Sequence, residues 1–116
     1  MWLFTKKGFF SAVQHKDDAT RILIRARFKG DLERLFKAHG VLAKVSFDSH
    51  ADYAYRAVIT RETFVYIAKR EAESIDYTNF KSAAHDGTRR DAAYMDVWGV
   101  MFRAQENQQA TFRGED

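Results

Sequence analysis

Three arginines at strand spacing are the residues in this chain with the clearest potential for chemistry. Segment 20–28 reads Thr-Arg-Ile-Leu-Ile-Arg-Ala-Arg-Phe, and in a strand alternate side chains share a face. Arg21, Arg25 and Arg27 therefore line one face, with about 7 Å between successive same-face positions. Guanidinium groups bind phosphate and carboxylate oxygens through paired hydrogen bonds. The other face is apolar and suits a core; it consists of Ile22, Ile24, Ala26 and Phe28.

A basic sheet face with aromatic neighbours is typical of proteins that bind single-stranded nucleic acid. Arginines contact the phosphates and aromatic rings stack on the bases. We predict that Arg56 joins the three arginines from a neighbouring strand, and that Trp2 and either Phe9 or Phe10 supply aromatic surface. The alternative is that the arginines pair with nearby acids, or only keep an exposed sheet from aggregating.

A second basic group flanks the predicted start of the last helix. Lys81, Arg89 and Arg90 lie near a helix N-terminus, where the helix dipole favours negative charge. This placement favours a bound anion such as a phosphate or a partner's carboxylate. The alternative is that Asp86 and Asp91 neutralise the arginines within the chain.

Two acid–imidazole clusters could act as a general base or bind a metal. His15 stands beside Asp17 and Asp18 at a predicted strand end, and segment 48–52 reads Asp-Ser-His-Ala-Asp. Neither has the fixed spacing of a metal motif, so a solvated turn is the favoured interpretation of both. We predict no metal site, no cofactor and no catalytic residue, with His15 as the one histidine that could be functional.

Composition narrows the function classes further. The 116 residues include no Cys, which excludes disulfides, thiolate zinc sites and cysteine nucleophiles. The sequence has no Gly-rich phosphate loop and no nucleophile elbow. The opening residues do not match a secretory signal, and no stretch is long enough to span a membrane. We therefore expect a cytoplasmic protein with no membrane partner.

The periodicity predicts an α+β fold in the order β-β-β-α-β-β-α-α. An antiparallel sheet of about five strands would have the helices packed on one face, an order compatible with a ferredoxin-like arrangement. We predict one globular domain over residues 1–107 and a disordered polar tail over 108–116. The predicted strands span 2–5, 9–15, 20–28, 41–47 and 53–59; helices begin near Asp31, Thr60, Asp76 and Thr88, the last with Asp91 completing a capping box.

Several strings together resemble a group of small uncharacterised bacterial and phage-associated proteins with no assigned function. They are GFFSAVQHKDD at 8–18, DYAYR at 52–56, IDYTNFK at 75–81, and the pattern Tyr94-x-x-Val-Trp98. The resemblance covers the chain to about Phe102. It implies a bacterial or phage protein and carries no activity or site residue.

Three functions follow as hypotheses. The favoured one is a non-catalytic module that binds single-stranded nucleic acid or another phosphate-rich partner through the basic sheet face. The first alternative is a protein-interaction module, such as a phage-type inhibitor or an adaptor acting on a host protein complex. Aromatic and arginine richness also suits such an interface. The second alternative is a small nuclease that uses His15.

Overall fold

The computed structural model describes residues 1–112 and shows an α+β fold built on a five-stranded antiparallel sheet. The strand order is β1-β2-β3-β5-β4. The fold class predicted from the sequence is confirmed. The elements are β1 (Trp2–Thr5), β2 (Gly8–His15), β3 (Asp18–Ala26), α1 (Asp31–Ala38), β4 (Ser46–Phe47), β5 (Tyr55–Thr60), α2 (Arg61–Glu73), α3 (Phe80–Ala83) and α4 (Arg89–Phe112).

The core lies between one face of the sheet and helices α1 and α2. Ile24 and Ala26 of β3 are completely buried, as the alternation predicts. The face continues onto β2 and β5, and each helix turns an apolar stripe towards it. The buried cluster comprises Phe10, Ala12, Ile22, Ile24, Ala26, Leu32, Leu35, Phe36, Ala57, Ile59, Phe64 and Ile67. Within the first unit, helices α1 and α2 cover this face of the sheet only.

The β1–β2 turn fits closely against the start of α1. The Thr5 hydroxyl accepts hydrogen bonds from the backbone N–H groups of Lys7 and Gly8. A Cβ atom at Gly8 would lie 2.5 Å from the carboxyl carbon of Asp31. Only glycine therefore allows the hairpin to approach the helix this closely.

The N-cap of helix α1 lies one residue earlier than the sequence suggests, where Asp31 itself is a plausible N-cap. Gly30, at φ 87°, is the N-cap residue, and Asp31 is the first helical residue, buried and paired with Arg34. Gly40 ends the helix: at φ 64° it lets the Val41 N–H donate to the Phe36 carbonyl. This is the hydrogen-bond pattern of a Schellman motif.

Two predicted strands are shorter than the alternation indicated. Only residues 46–47 of the predicted strand 41–47 pair with β5. Val41, Ala43 and Val45 are half-buried against the core, so their alternation reflects burial without strand pairing. The strand predicted from residue 53 begins at Tyr55, because residues 51–53 form bends.

The inner run β3-α1-β4-β5-α2 has the spatial strand order β3-β5-β4. A ferredoxin-like fold has the element order βαββαβ, with a further strand after its second helix. Within residues 1–112 no strand follows α2, and β2, which precedes β3 in the chain, lies beside β3 instead. The sheet therefore contains the inner part of that order without its closing strand.

The chain divides into two compact units, Met1–Tyr77 and Thr78–Asp116, where the sequence suggested one domain over residues 1–107. The second unit contains α3 and α4. Helix α4 runs to Phe112 and so includes residues 108–112 of the predicted tail; residues 113–116 lie outside the described part. Among the described helices, none is long and apolar enough to cross a membrane.

Candidate anion-binding face

Arg21, Arg25, Arg27 and Arg56 lie on the side of the first unit away from the helices; we call this set the arginine face. In the β3–β5 register, Arg25 lies directly opposite Arg56, and the buried pair Ile24 and Ala57 follows on the other side. Arg21 and Arg27 are exposed, and Arg25 and Arg56 are half-buried. Strand pairing therefore brings Arg56 beside the arginines of β3.

The arginine face carries four positive charges, and the charge of Arg21 acts on the nearby Asp18 carboxylate. Like charges directly opposite each other on neighbouring strands repel. Within residues 1–112, none of the four guanidinium groups forms a salt bridge with a carboxylate. Direct ion pairing of these arginines with nearby acids is therefore not seen in the described part of the chain.

Arg25 is held in place by two neighbours. Its Nη2 donates to the Ser11 hydroxyl at 2.9 Å, and its guanidinium carbon lies 4.4 Å from the centre of the Tyr53 ring. Its Nε is buried and has no hydrogen-bond partner in the structure. These contacts fix the position of the guanidinium group before any ligand binds.

Tyr53 is a member of this site that sequence reasoning assigned to the wrong face. Alternation with Tyr55 would turn it towards the core, but it is buried against Arg25 and Arg27, with the Arg27 guanidinium 4.0 Å from its ring centre. The Asp52 carboxylate accepts a hydrogen bond from the Tyr53 N–H, and the Asp52 backbone carbonyl accepts one from the Arg27 guanidinium. This turn ends the strand alternation before Tyr55. Asp52, directly before Tyr53, was the sequence signal for a turn here, because Asp side chains favour turns.

Aromatic side chains continue the face towards β1. Phe9, not Phe10, is on this side: Phe10 is completely buried in the core, whereas Phe9 stacks on Phe4 at 4.5 Å between ring centres. Trp2 meets the Phe9 ring edge-on at 5.6 Å and is 66% exposed. Five mutually opposite positions, one on each strand, form a row across the sheet, which we call the cross-strand row: Trp2, Ser11, Arg25, Arg56 and Ser46.

The second predicted basic group, Lys81, Arg89 and Arg90, belongs to the second unit. The Lys81 ammonium lies 4.1 Å from the Trp98 ring centre, and Arg90 pairs with Asp86 at 3.2 Å. Arg89 is exposed on the first turn of α4. For Arg90, internal neutralisation is therefore what the structure shows.

The start of α4 uses its two acids for different partners. Thr88 accepts the Asp91 N–H, as the predicted capping interaction requires. The Asp91 carboxylate pairs with His85 at 2.6 Å, so it does not neutralise the arginines as the sequence suggested. Hydrogen bonds from Thr88 lower the pKa of Asp86, and the charge of Arg90 acts in the same direction.

The two acid–imidazole clusters form ordinary turns. His15 Nδ1 accepts the Asp17 N–H at 3.2 Å, and Asp18 accepts the N–H and hydroxyl of Thr20. In segment 48–52 the Asp48 carboxylate accepts the His50 N–H. Among the described residues, no group of three or more acidic or histidine side chains could hold a metal ion.

A buried ionic network near α2 was not foreseen from the sequence. Glu71 Oε2 lies 2.6 Å from His39 Nε2 and 2.9 Å from Lys7 Nζ. The Glu71 and His39 side chains are 7% and 4% exposed. The missed signal is the position of Glu71, one helical turn after the buried Ile67.

No protein-family model, curated protein or solved structure matches this chain. The resemblance to small bacterial and phage-associated proteins stays a prediction. The geometry and charge of the arginine face are therefore the basis for its proposed function.

Proposed function

We propose that the protein is a non-catalytic binding module that recognises single-stranded nucleic acid or another phosphate-rich partner through the arginine face. One observation carries this proposal: Arg25 and Arg56 are directly opposite on neighbouring strands, with no acidic partner among the described residues. A phosphate oxygen placed between two guanidinium groups would turn their repulsion into attraction. Hydrogen bonds between ionised partners are about twice as strong as those between neutral groups.

The surroundings of the pair support a ligand on this face. Arg25 is already positioned by Ser11 and Tyr53, so little side-chain entropy is lost when a phosphate binds. Arg21 on β3 and Arg27 in the bend just after β3 extend the positive surface to either side of Arg25. Helices α1 and α2 pack on the opposite side of the sheet, so an extended chain on the arginine face would displace neither of them.

The direct test is fluorescence polarisation with labelled single-stranded RNA, single-stranded DNA and duplex DNA, at low and high salt. We expect binding that weakens as salt rises, because phosphate contacts release counterions. The double variant Arg21→Glu/Arg56→Glu should lose binding. It leaves Arg25 and Arg27 on the Tyr53 ring, so the fold should persist, which circular dichroism would verify.

The matched control is Lys69→Glu/Arg70→Glu, which changes net charge equally at exposed positions of α2. Helix α2 packs on the covered face of the sheet, so this variant should keep most of the affinity. Equal loss in both double variants would mean that only net charge matters. Full binding by Arg21→Glu/Arg56→Glu would refute the proposal.

The second candidate function is a protein-interaction module, favoured by apolar side chains on α4. Trp98, Met101 and Phe102 are 50%, 64% and 45% exposed. A stoichiometric, nuclease-resistant protein partner that is lost on Met101→Glu would support this function. Such a result together with no oligonucleotide binding would replace the first proposal.

The nuclease hypothesis is tested by the same oligonucleotides, examined for cleavage after binding. Cleavage that disappears on His15→Ala would support it, and intact oligonucleotides would exclude it under those conditions. We also propose a bacterial or phage origin and a cytoplasmic location for the protein. Both are predictions from the sequence alone.

A further inference from the structure

The cross-strand row ends in the exposed indole of Trp2 on β1, the edge of the sheet opposite to β4. From this we propose that Trp2 is a base-stacking platform, so that the ligand is a single-stranded nucleic acid crossing the strands from Trp2 towards the Arg25–Arg56 pair. This inference rests on the proposed function and makes it more specific. A partner that offers phosphates alone would not use Trp2.

Trp2 is exposed and yet well positioned. Two thirds of its surface is open, while its ring contacts Phe9, which is itself 9% exposed and stacked on Phe4. The Ala12 N–H donates to the Met1 carbonyl at 2.9 Å and holds the beginning of β1 against β2. An exposed indole on a fixed aromatic layer can offer a flat surface to a base at little entropic cost.

The distances along the row suit a nucleotide chain. Neighbouring strands lie about 4.8 Å apart, so β1 is roughly 10 Å from β3 and roughly 14 Å from β5. A base stacked on Trp2 would thus have the next phosphates of its chain over Arg25 and Arg56. Ser11 and Ser46 lie in the same row and carry no charge that would repel the backbone.

The test uses Trp2 as its own reporter. The chain contains two tryptophans, so Trp98→Phe leaves Trp2 as the only one. This variant would be titrated at low salt with a short oligothymidylate and with an abasic strand of equal length and charge. We expect the oligothymidylate to quench Trp2 fluorescence and the abasic strand to leave it nearly unchanged.

Affinities measured by polarisation give a second readout. Trp2→Ala should weaken oligothymidylate binding roughly tenfold, the size of one lost base stack, and should leave abasic-strand binding unchanged. Trp2→Phe should restore part of the loss. Phe47→Ala is the control, because Phe47 is an aromatic residue of the β4 edge that is 63% exposed. Its ring packs beside the half-buried Tyr55, on the core side of the sheet and not on the arginine face.

Each outcome decides between the two proposals. If both strands bind equally well and Trp2 fluorescence does not change, the stacking platform is wrong while the arginine face remains a phosphate site. If neither strand binds at low salt, both proposals are overturned. A tenfold loss with Phe47→Ala as well as with Trp2→Ala would show a general effect of removing aromatic surface and would also overturn the role of Trp2.

Discussion

At the scale of single residues, the arrangement of Arg25 and Arg56 costs stability when no ligand is bound. Directly opposed like charges destabilise a sheet by a few tenths of a kcal/mol to about 1 kcal/mol. Sites that bind a charged ligand often keep such unfavourable interactions, because function can conflict with stability. The pair should therefore be measurable as a local destabilisation.

We predict that Arg56→Gln leaves the free energy of unfolding unchanged or raises it by up to about 1 kcal/mol in low-salt, phosphate-free buffer. Urea unfolding would measure this. The control is Arg61→Gln, because Arg61 donates hydrogen bonds to the Ala19 carbonyl and to the Gln14 side chain. This substitution should lower the free energy of unfolding by about 1 kcal/mol. Equal destabilisation by both substitutions would contradict the unfavourable pairing.

The carboxylate of Asp18 supplies a second prediction at this scale. Hydrogen bonds from the Thr20 hydroxyl and N–H hold the pKa of Asp18 below its ordinary value of 3.8. A lowered pKa means that the folded state favours the ionised carboxylate. This contribution to stability is present above the unfolded-state pKa and is lost as pH falls through the folded-state pKa, so the relevant window lies below about pH 4.

We predict that Thr20→Val raises the pKa of Asp18 towards its ordinary value and leaves that of Asp86 in place. Asp86 is a matched internal control, since Thr88 gives it the same two hydrogen bonds. Thr88→Val should raise the pKa of Asp86 and leave that of Asp18 in place. Carbon-detected NMR titration of the two carboxyl groups would show it; an unmoved Asp18 in Thr20→Val would rule out the hydroxyl as the cause.

At the scale of elements, Glu71 connects α2 to the end of α1 and to the first hairpin. It is the shared acceptor for His39 and Lys7, and both carboxylate and imidazole are buried. Removing one member of a buried ionic group leaves the others without compensation. The network should therefore stabilise the packing of α2 more than any surface charge on that helix.

We predict that Glu71→Ala lowers the free energy of unfolding by roughly 3 kcal/mol. Glu73→Ala, at an exposed position two residues further on, should change it by less than about 0.5 kcal/mol. Chemical unfolding of both variants makes the comparison. A similar small change in each would mean that the buried network contributes nothing.

Elements governed by short-range rules could be predicted from the sequence. The alternation of β3 identified both its core residues and its basic face, because strand period 2 is fixed by backbone geometry. The caps at Thr60 and at Thr88 with Asp91 were predicted because one side chain satisfies a nearby N–H group. These interactions involve residues only a few positions apart.

Features that depend on distant residues could not be predicted. The contact of Tyr53 with Arg25 and Arg27 depends on a turn that ends the alternation, and the burial of His39 depends on Glu71, 32 residues away. Residues 41–45 alternate like a strand but lack a partner, since alternation reports burial and not pairing. In each case tertiary packing decided the outcome.

At the scale of the whole molecule, charge distribution matters more than net charge. The formal net charge is only +3, but several of the acids lie away from the arginine face: Glu71 in the buried network, and Asp86 and Asp91 at the start of α4. The four guanidinium groups of the arginine face form no salt bridge within the described chain. A local positive surface of this kind can attract a polyanion that the net charge would not.

The most direct test of the account is the salt dependence of single-strand binding. Four phosphate contacts would give a slope of log affinity against log salt near −3, which is about a 50-fold loss between 50 and 200 mM salt. Removing two of the four charges with Arg21→Gln/Arg56→Gln should reduce the slope by about 1.4. A slope near zero, or an equal slope for both proteins, would contradict phosphate binding by the arginine face.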